Sequence, residues 1–200
     1  MQDRGFRPDR VIPLAFHVDY WDYLGWPDRF AQAAFTKRQR QIARFNRSRT
    51  IYTPQLVLQG QDFRRHSRFQ ALVEQINQTP ARAHIALRVT PTSDALNIVA
   101  DANVTEAVLK KDAKVFIAVY ENNLQSDVKA GENTGRTLRH QFVVRKWIGP
   151  LALNAQGQLH WSQSIALAKD WKTQDVGVAA CVLNHRNGDT LQAVALSLND

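Results

Sequence analysis

After Pro80 the side-chain period becomes two and stays there almost to the end of the chain. Ile85, Leu87 and Val89 alternate with His84, Ala86 and Arg88, and similar runs occupy 95–104, 114–121, 139–148, 158–167, 175–184 and 190–198. Alternation of this kind sends apolar residues to one face of a strand and polar residues to the other. Seven candidate strands at short intervals argue for an antiparallel sandwich. Asn187-Gly188, between the last two runs, carries common hairpin-turn chemistry. No helix is required in this half. The stretch "NNLQSDVKAGENTGRT" reads as a long loop, and long structured loops are more often functional than short ones.

The first 80 residues follow a different rhythm, so the chain divides into 1–80 and 81–200. "VIPLAFHV", Val11 to Val18, reads as a short strand buried on both faces, with Pro13 near its start or at a bulge. From Asp28 to Asn46, Phe30, Ala34, Phe35, Ile42 and Phe45 recur at roughly helical spacing. Thr36 is placed to cap a second piece, which predicts one broken helix or two short ones. In "IYTPQLVLQG", Thr53-Pro54 leads into a strand through Leu56 and Leu58, and Gly60 supplies a turn. Ser67 and Gln70 form a capping box ahead of Phe69, Leu72, Val73 and Ile76, with Pro80 beyond the helix end.

Two hundred residues with 44% hydrophobic content can bury a core. The apolar runs are far shorter than the roughly 20 residues that cross a bilayer, so no membrane span is expected. "MQDRGFRPDR" has no apolar h-region, which implies a cytoplasmic chain if Met1 is the true start. One cysteine, Cys181, excludes an internal disulfide or a dithiol within these residues, and its apolar neighbours suit a small buried hydrophobe. Residues 1–70 hold 13 Lys/Arg against 6 Asp/Glu, whereas the remainder holds 13 against 12. Lys37, Arg40, Arg44 and Arg47 form one helical stripe, readable as a solvated face or as a contact for phosphates or an acidic partner. No nucleic-acid motif accompanies it, so nucleic acid is not the expected partner.

The densest chemistry lies in "FHVDYWDYLGWPDRF", residues 16–30. His17 and Asp19 alternate along a strand and share a face, and Asp22 would join them only if the chain turns after Trp21. A metal site needs three or four converging ligands, so the plainer reading is hydrogen bonding at a strand end, with no metal and no cofactor. Trp21 and Trp26 suit packing, since large aromatics dominate cores. Farther on, His140 and Arg145 are an odd number of residues apart, so a regular strand would place them on opposite faces. Glu132, Asn133 and Arg136 in the adjoining loop are candidates for a polar network with them. No Gly-x-Ser-x-Gly or other nucleophile motif is present.

The runs "LAFHVDYWDYLGWPDRF", "FTKRQRQIARF", "YTPQLVLQG" and "VYENNL...GENTGRTLRHQFVVR", in this order, resemble the domain-of-unknown-function 1223 family over almost the whole chain. The resemblance implies an α+β protein: a thioredoxin-like α/β domain followed by an antiparallel β-sandwich-like domain, in bacterial proteins that are usually exported to the periplasm or beyond. Such members have a first strand leading into a Cys-x-x-Cys helix. This sequence starts where that helix should end, so its thioredoxin-like domain is expected to be incomplete, with no dithiol catalysis unless a cysteine pair lies upstream. The loss of a central strand would leave 11–18 and 55–58 without the neighbour between them. The resemblance further implies a cis Thr53-Pro54 bond beside the former dithiol. His17, Asp19, Tyr20, Trp21, Asp22, Trp26, Thr53 and Pro54 then become a substrate wall for a peptide or protein, or groups that handle protons near a thiol. The alternative is a non-catalytic module that binds a peptide or partner protein through the aromatic loop and the sandwich.

Overall fold

The computed structural model describes residues 10–130 and 134–198. Seven strands build two antiparallel sheets. β3 (His84–Pro91), β4 (Ala95–Asn103) and β9 (Gln158–Ala166) form the smaller, in the order β3-β4-β9. β5 (Ala113–Glu121), β8 (Val143–Ala152), β10 (Val176–Asn184) and β11 (Thr190–Ser197) form the larger, in the order β11-β10-β5-β8. Their inner faces share one core: Leu96, Ile98 and Ala100 of β4 meet Val115, Ile117 and Val119 of β5 and Val178, Ala180 and Val182 of β10. The fold is thus mixed α+β with an antiparallel sandwich, as the alternating runs require.

The outer face of the larger sheet is also covered. Helix α1 (Ala33–Phe45) and the extended segment before it supply Phe35, Ile12, Leu14 and Phe16, which pack on Ala118, Tyr120, Val144 and Ala179. This double coverage is why β10 is buried along most of its length rather than on alternate residues. Gly177 of β10 lies directly opposite Tyr120 of β5. A Cβ at Gly177 would come within 2.3 Å of the Tyr120 ring, so the glycine makes room for an aromatic that seals this face.

Several local expectations are corrected. Residues 11–18 form no regular strand. They run half-buried along β8, joined by a parallel bridge in which Ala15 N donates to Phe142 O (2.8 Å) and Val144 N donates to Ala15 O (2.9 Å). Residues 28–46 contain one unbroken helix, α1, because Thr36 lies inside it and bonds outward to Asp19 instead of capping a second piece. Strand β1 (Val57–Leu58) turns back through Gln59-Gly60 onto β2 (Gln61–Asp62). Segments 11–18 and 55–58 therefore find separate partners. Helix α2 (Phe69–Gln78) forms as expected, but its N-cap is Arg68 and the Ser67–Gln70 capping box does not form, because a 3-10 turn at His66–Arg68 runs straight into the helix.

In the second half, a single helical turn, α3 (Ala107–Lys110), links β4 to β5. The stretch read as a loop contains a hairpin, β6 (Leu124–Asp127) with β7 (Thr137–His140). The β10–β11 connection is longer than a two-residue turn. Asn184 N donates to Asp189 O, and Gly188 adopts the positive φ of 78° inside it.

Candidate functional site

The 17–30 loop is tied down by its own acids. His17 Nδ1 donates to Asp28 Oδ2 at 2.5 Å; since a carboxylate only accepts, the proton of this bond sits on Nδ1. The other Asp28 oxygen accepts from Phe30 N (2.9 Å), and Asp22 Oδ1 accepts from Asp28 N (3.1 Å). Asp22–Leu24 makes one 3-10 turn ended by Gly25 at φ 94°. Asp19 is held separately: Thr36 Oγ donates to Asp19 Oδ1 (2.6 Å) and accepts from Asp19 N (3.2 Å).

His17, Phe30 and His140 form a cluster of three rings with centroids 5.2–5.6 Å apart, all edge to face. His140 ends β7, and its Nε2 lies 3.0 Å from the buried Ser126 Oγ. Burial raises the Asp28 carboxyl, but the bonds from His17 and Phe30 N and the nearby imidazoles outweigh it and leave the group below its ordinary value. Burial also lowers His140, helped by repulsion from His17 and Arg29 and opposed by Asp28, so this imidazole favours its neutral form.

Arg145 also lies near Phe30, its guanidinium 5.4 Å from that ring and 5.1 Å from the Trp171 ring. It pairs with Glu121 (2.5 Å) and Asp170 (2.8 Å), and Glu121 also accepts from Lys172 N. The odd spacing of His140 and Arg145 is resolved by a break in the strand at 141–142, where Phe142 takes φ 56°. Both side chains then reach Phe30, each with its own hydrogen-bond partners. Arg136 is exposed and away from these bonds, and Glu132 and Asn133 lie outside the described residues.

Thr53–Pro54 is cis, and Pro54 lines a shallow cavity of about 210 Å³ with Tyr52, Leu56, Phe63 and Arg64. Tyr52 OH donates to Asp62 Oδ1 (2.6 Å), Arg64 donates to Asp62 Oδ2 (2.9 Å), and the guanidinium lies over the Tyr52 ring. Gln39, one turn after Thr36 on α1, donates to Tyr52 O (2.7 Å) and Gln55 Oε1 (3.0 Å). Adjacent turns of α1 thus hold the aromatic loop through Thr36 and the Pro54 segment through Gln39.

Trp21 and Tyr23 stack with centroids 6.2 Å apart, and Tyr20 packs beside Trp21. Trp21 is 47% exposed, Tyr23 75% and Leu24 55%, while Trp26 is half-buried. Among the described residues, no group of three His, Cys, Asp or Glu is arranged to hold a metal ion. Burial pushes the Cys181 thiol up to about 12, with the Arg38 cation pulling the other way, so this sulfur is a poor nucleophile. Asp28, Phe30, Thr36, Gln39 and Ser126 escaped the sequence reading as site residues. Asp28 and Phe30 had a signal, since both lie in the same acidic-aromatic stretch as His17, whereas Thr36, Gln39 and Ser126 are brought in by tertiary folding.

Fold and site together define a mixed α+β protein in which a helix and an aromatic loop cap an antiparallel sandwich. The chain belongs to the family described as "Protein of unknown function (DUF1223)", whose model matches residues 1–183. It is similar in fold to HBP35 of Porphyromonas gingivalis, with TM-score 0.64 and 16% identity over 84% of this chain and 59% of that one. It is also similar to protein AGR_C_4864 from Agrobacterium tumefaciens, with TM-score 0.60 and 20% identity over 95% and 81% of the two chains. The chain thus spans 59% of the length of the HBP35 chain. No curated protein matches the sequence. No helix among the described residues is long and apolar enough to cross a membrane.

Proposed function

We propose that this chain is a peptide-binding module from an exported, thioredoxin-like lineage, and that the 19–30 loop receives an extended segment of a partner polypeptide. The observation that carries this reading is the exposure of Trp21, Tyr23 and Leu24 on one short turn. Exposed apolar groups that cluster, unlike scattered ones, mark interaction sites. Aromatic side chains held in place bind with a small loss of conformational entropy. The Asp22–Asp28–His17 bonds supply that rigidity, and the Pro54 cavity is a second contact on the same helix support. The test is a fluorescence titration with a reduced, carboxymethylated polypeptide. Saturable quenching that weakens about tenfold in a Trp21→Ala, Tyr23→Ala variant of unchanged Tm is the expected result. Equal affinity of variant and parent, or no binding by the parent, refutes the reading.

A second reading is favoured by the His17–Asp28 pair. A histidine oriented by a carboxylate suits proton transfer beside a thiol, and the resemblance to a thioredoxin-like family supports such chemistry in any member that carries a cysteine pair. Intact mass and amino-terminal sequencing of the protein from its native cells test this. A mature form that includes a cysteine pair supports redox catalysis at the site, and one that starts at Met1 or Gln2 removes it.

A further inference from the structure

Between Arg29 and Gln61 the sequence holds seven Lys/Arg and no Asp or Glu. The whole chain has 26 basic and 18 acidic residues, so 19 and 18 remain outside this stretch. Nearly all of the formal +8 therefore belongs to 33 residues that the fold gathers around α1. Arg38 is turned inward, its guanidinium 4.9 Å from the Phe16 ring and 4.5 Å from the Trp147 ring. Lys37, Arg40 and Arg44 are exposed, and at about 100° per residue they lie within an arc of roughly 60°. Arg47 and Arg49 continue the exposed basic surface just past the helix end. Among the described residues none of these five forms an ion pair, although acids elsewhere pair with Arg64, Arg82, Arg145 and Arg186.

A solvated helix face ordinarily mixes signs, because opposite charges three or four residues apart stabilise a helix and like charges oppose it. Here Lys37 and Arg40 are three apart, Arg40 and Arg44 four. The helix tolerates this arrangement because Phe35, Thr36, Gln39 and Ala43 pin its other side into the fold. Among the described residues the unbalanced face has no ion-paired counter-charge, so an external anion would relieve it.

We propose that this face is a peripheral docking surface for an anionic phospholipid membrane. Two features favour a lipid surface over nucleic acid. The stripe of exposed cations lies in one narrow arc of a single helix, which a flat charged surface can meet along its length. It also lacks the exposed aromatics on which unpaired bases stack, since Phe35 is fully buried and Phe45 half-buried. Juxtaposed Lys and Arg residues need only a negatively charged plane, and each contributes roughly fivefold to partitioning near such a surface. This contact is independent of the peptide-binding loop and would hold that loop close to a membrane without inserting any segment.

The test is co-sedimentation of the full chain with vesicles of phosphatidylcholine alone or with 40 mol% phosphatidylglycerol. Binding only to the anionic vesicles, and falling steeply as salt rises, is expected. A Lys37→Gln, Arg40→Gln, Arg44→Gln variant should lose about a hundredfold in partitioning, given three contributions of about fivefold each. A Lys111→Gln, Lys146→Gln, Lys169→Gln variant carries the same change in net charge at exposed positions elsewhere and should bind nearly as well as the parent. Circular-dichroism melts confirm that both variants are folded. Equal loss in the two variants would show a net-charge effect and overturn the assignment to this face. Absence of binding to anionic vesicles at low salt overturns the proposal, as does tighter binding to a DNA duplex than to the vesicles.

Discussion

Replacing Arg145 by Leu should strand a charge in the interior. Glu121 has no exposed surface, and its carboxylate accepts from Arg145 and from Lys172 N, so the guanidinium is its only countercharge among the described residues. Removing one member of a buried ion pair typically costs about 3–5 kcal/mol, because the remaining charge has lost both water and partner. The bond to Asp170 adds little, since that carboxylate is largely exposed. Out of a total stability of order 5–15 kcal/mol, the loss is a large fraction. For a chain of this size it corresponds to a fall in Tm of roughly 6–20 °C. Urea unfolding at pH 7, followed by tryptophan fluorescence and far-ultraviolet circular dichroism, measures it, and coincidence of the two signals checks that the transition is two-state. Adding Glu121→Gln removes the charge while keeping an acceptor for Lys172 N, so the double variant should regain more than half of the loss. A cost under about 1 kcal/mol for Arg145→Leu, or a double variant no more stable than the single one, would refute the stranded-charge argument and point to packing instead.

His140 should make stability depend on pH. Its folded value is depressed, so its contribution is fully present above the ordinary histidine value of 6.5 and is lost as pH falls through the folded value. His140→Gln, which can still bond Ser126, should flatten the decline in unfolding free energy between pH 7.5 and 5.5; an unchanged slope contradicts the assignment. Gly177→Ala would place a methyl group against the Tyr120 ring in the middle of the larger sheet and should cost roughly 1–3 kcal/mol. Tyr120→Leu in the same chain should recover part of it, and thermal melts that show no loss in Gly177→Ala would refute the clash.

The strands were legible wherever burial and hydrophobicity share a period. In β4, Leu96, Ile98, Ala100 and Ala102 are all buried, and the residues between them are not. The β6 strand has the same alternation in burial, but its buried residues are Leu124 and Ser126. A hydroxyl that is satisfied by His140 leaves no apolar signal, so the hairpin read as a loop. The opposite error occurred at 11–18. Ile12, Leu14 and Phe16 alternate because they cover the outside of a sheet, while the backbone gains its bridge at Ala15. Apolar alternation reports which face is covered and not whether the backbone is paired.

The site was legible in its residue types and not in its pairings. His17 and Asp28 are eleven residues apart in a loop with no period, and what brings them together is a turn closed by Asp22 and ended by Gly25. His140 reaches the same place from 123 positions away, because the β7–β8 break at Phe142 lets both it and Arg145 reach Phe30. Phe30 is therefore one contact between the aromatic loop and the second half of the chain. It touches both histidines and the Arg145 cation whose carboxylate partner lies in the core. A ligand that shifts Phe30 is therefore expected to disturb the buried Glu121–Arg145 pair and the His140 imidazole, whose folded value burial holds below the ordinary one. The expectation rests on contacts at one ring, by which a residue of the aromatic loop packs against side chains of β7 and β8.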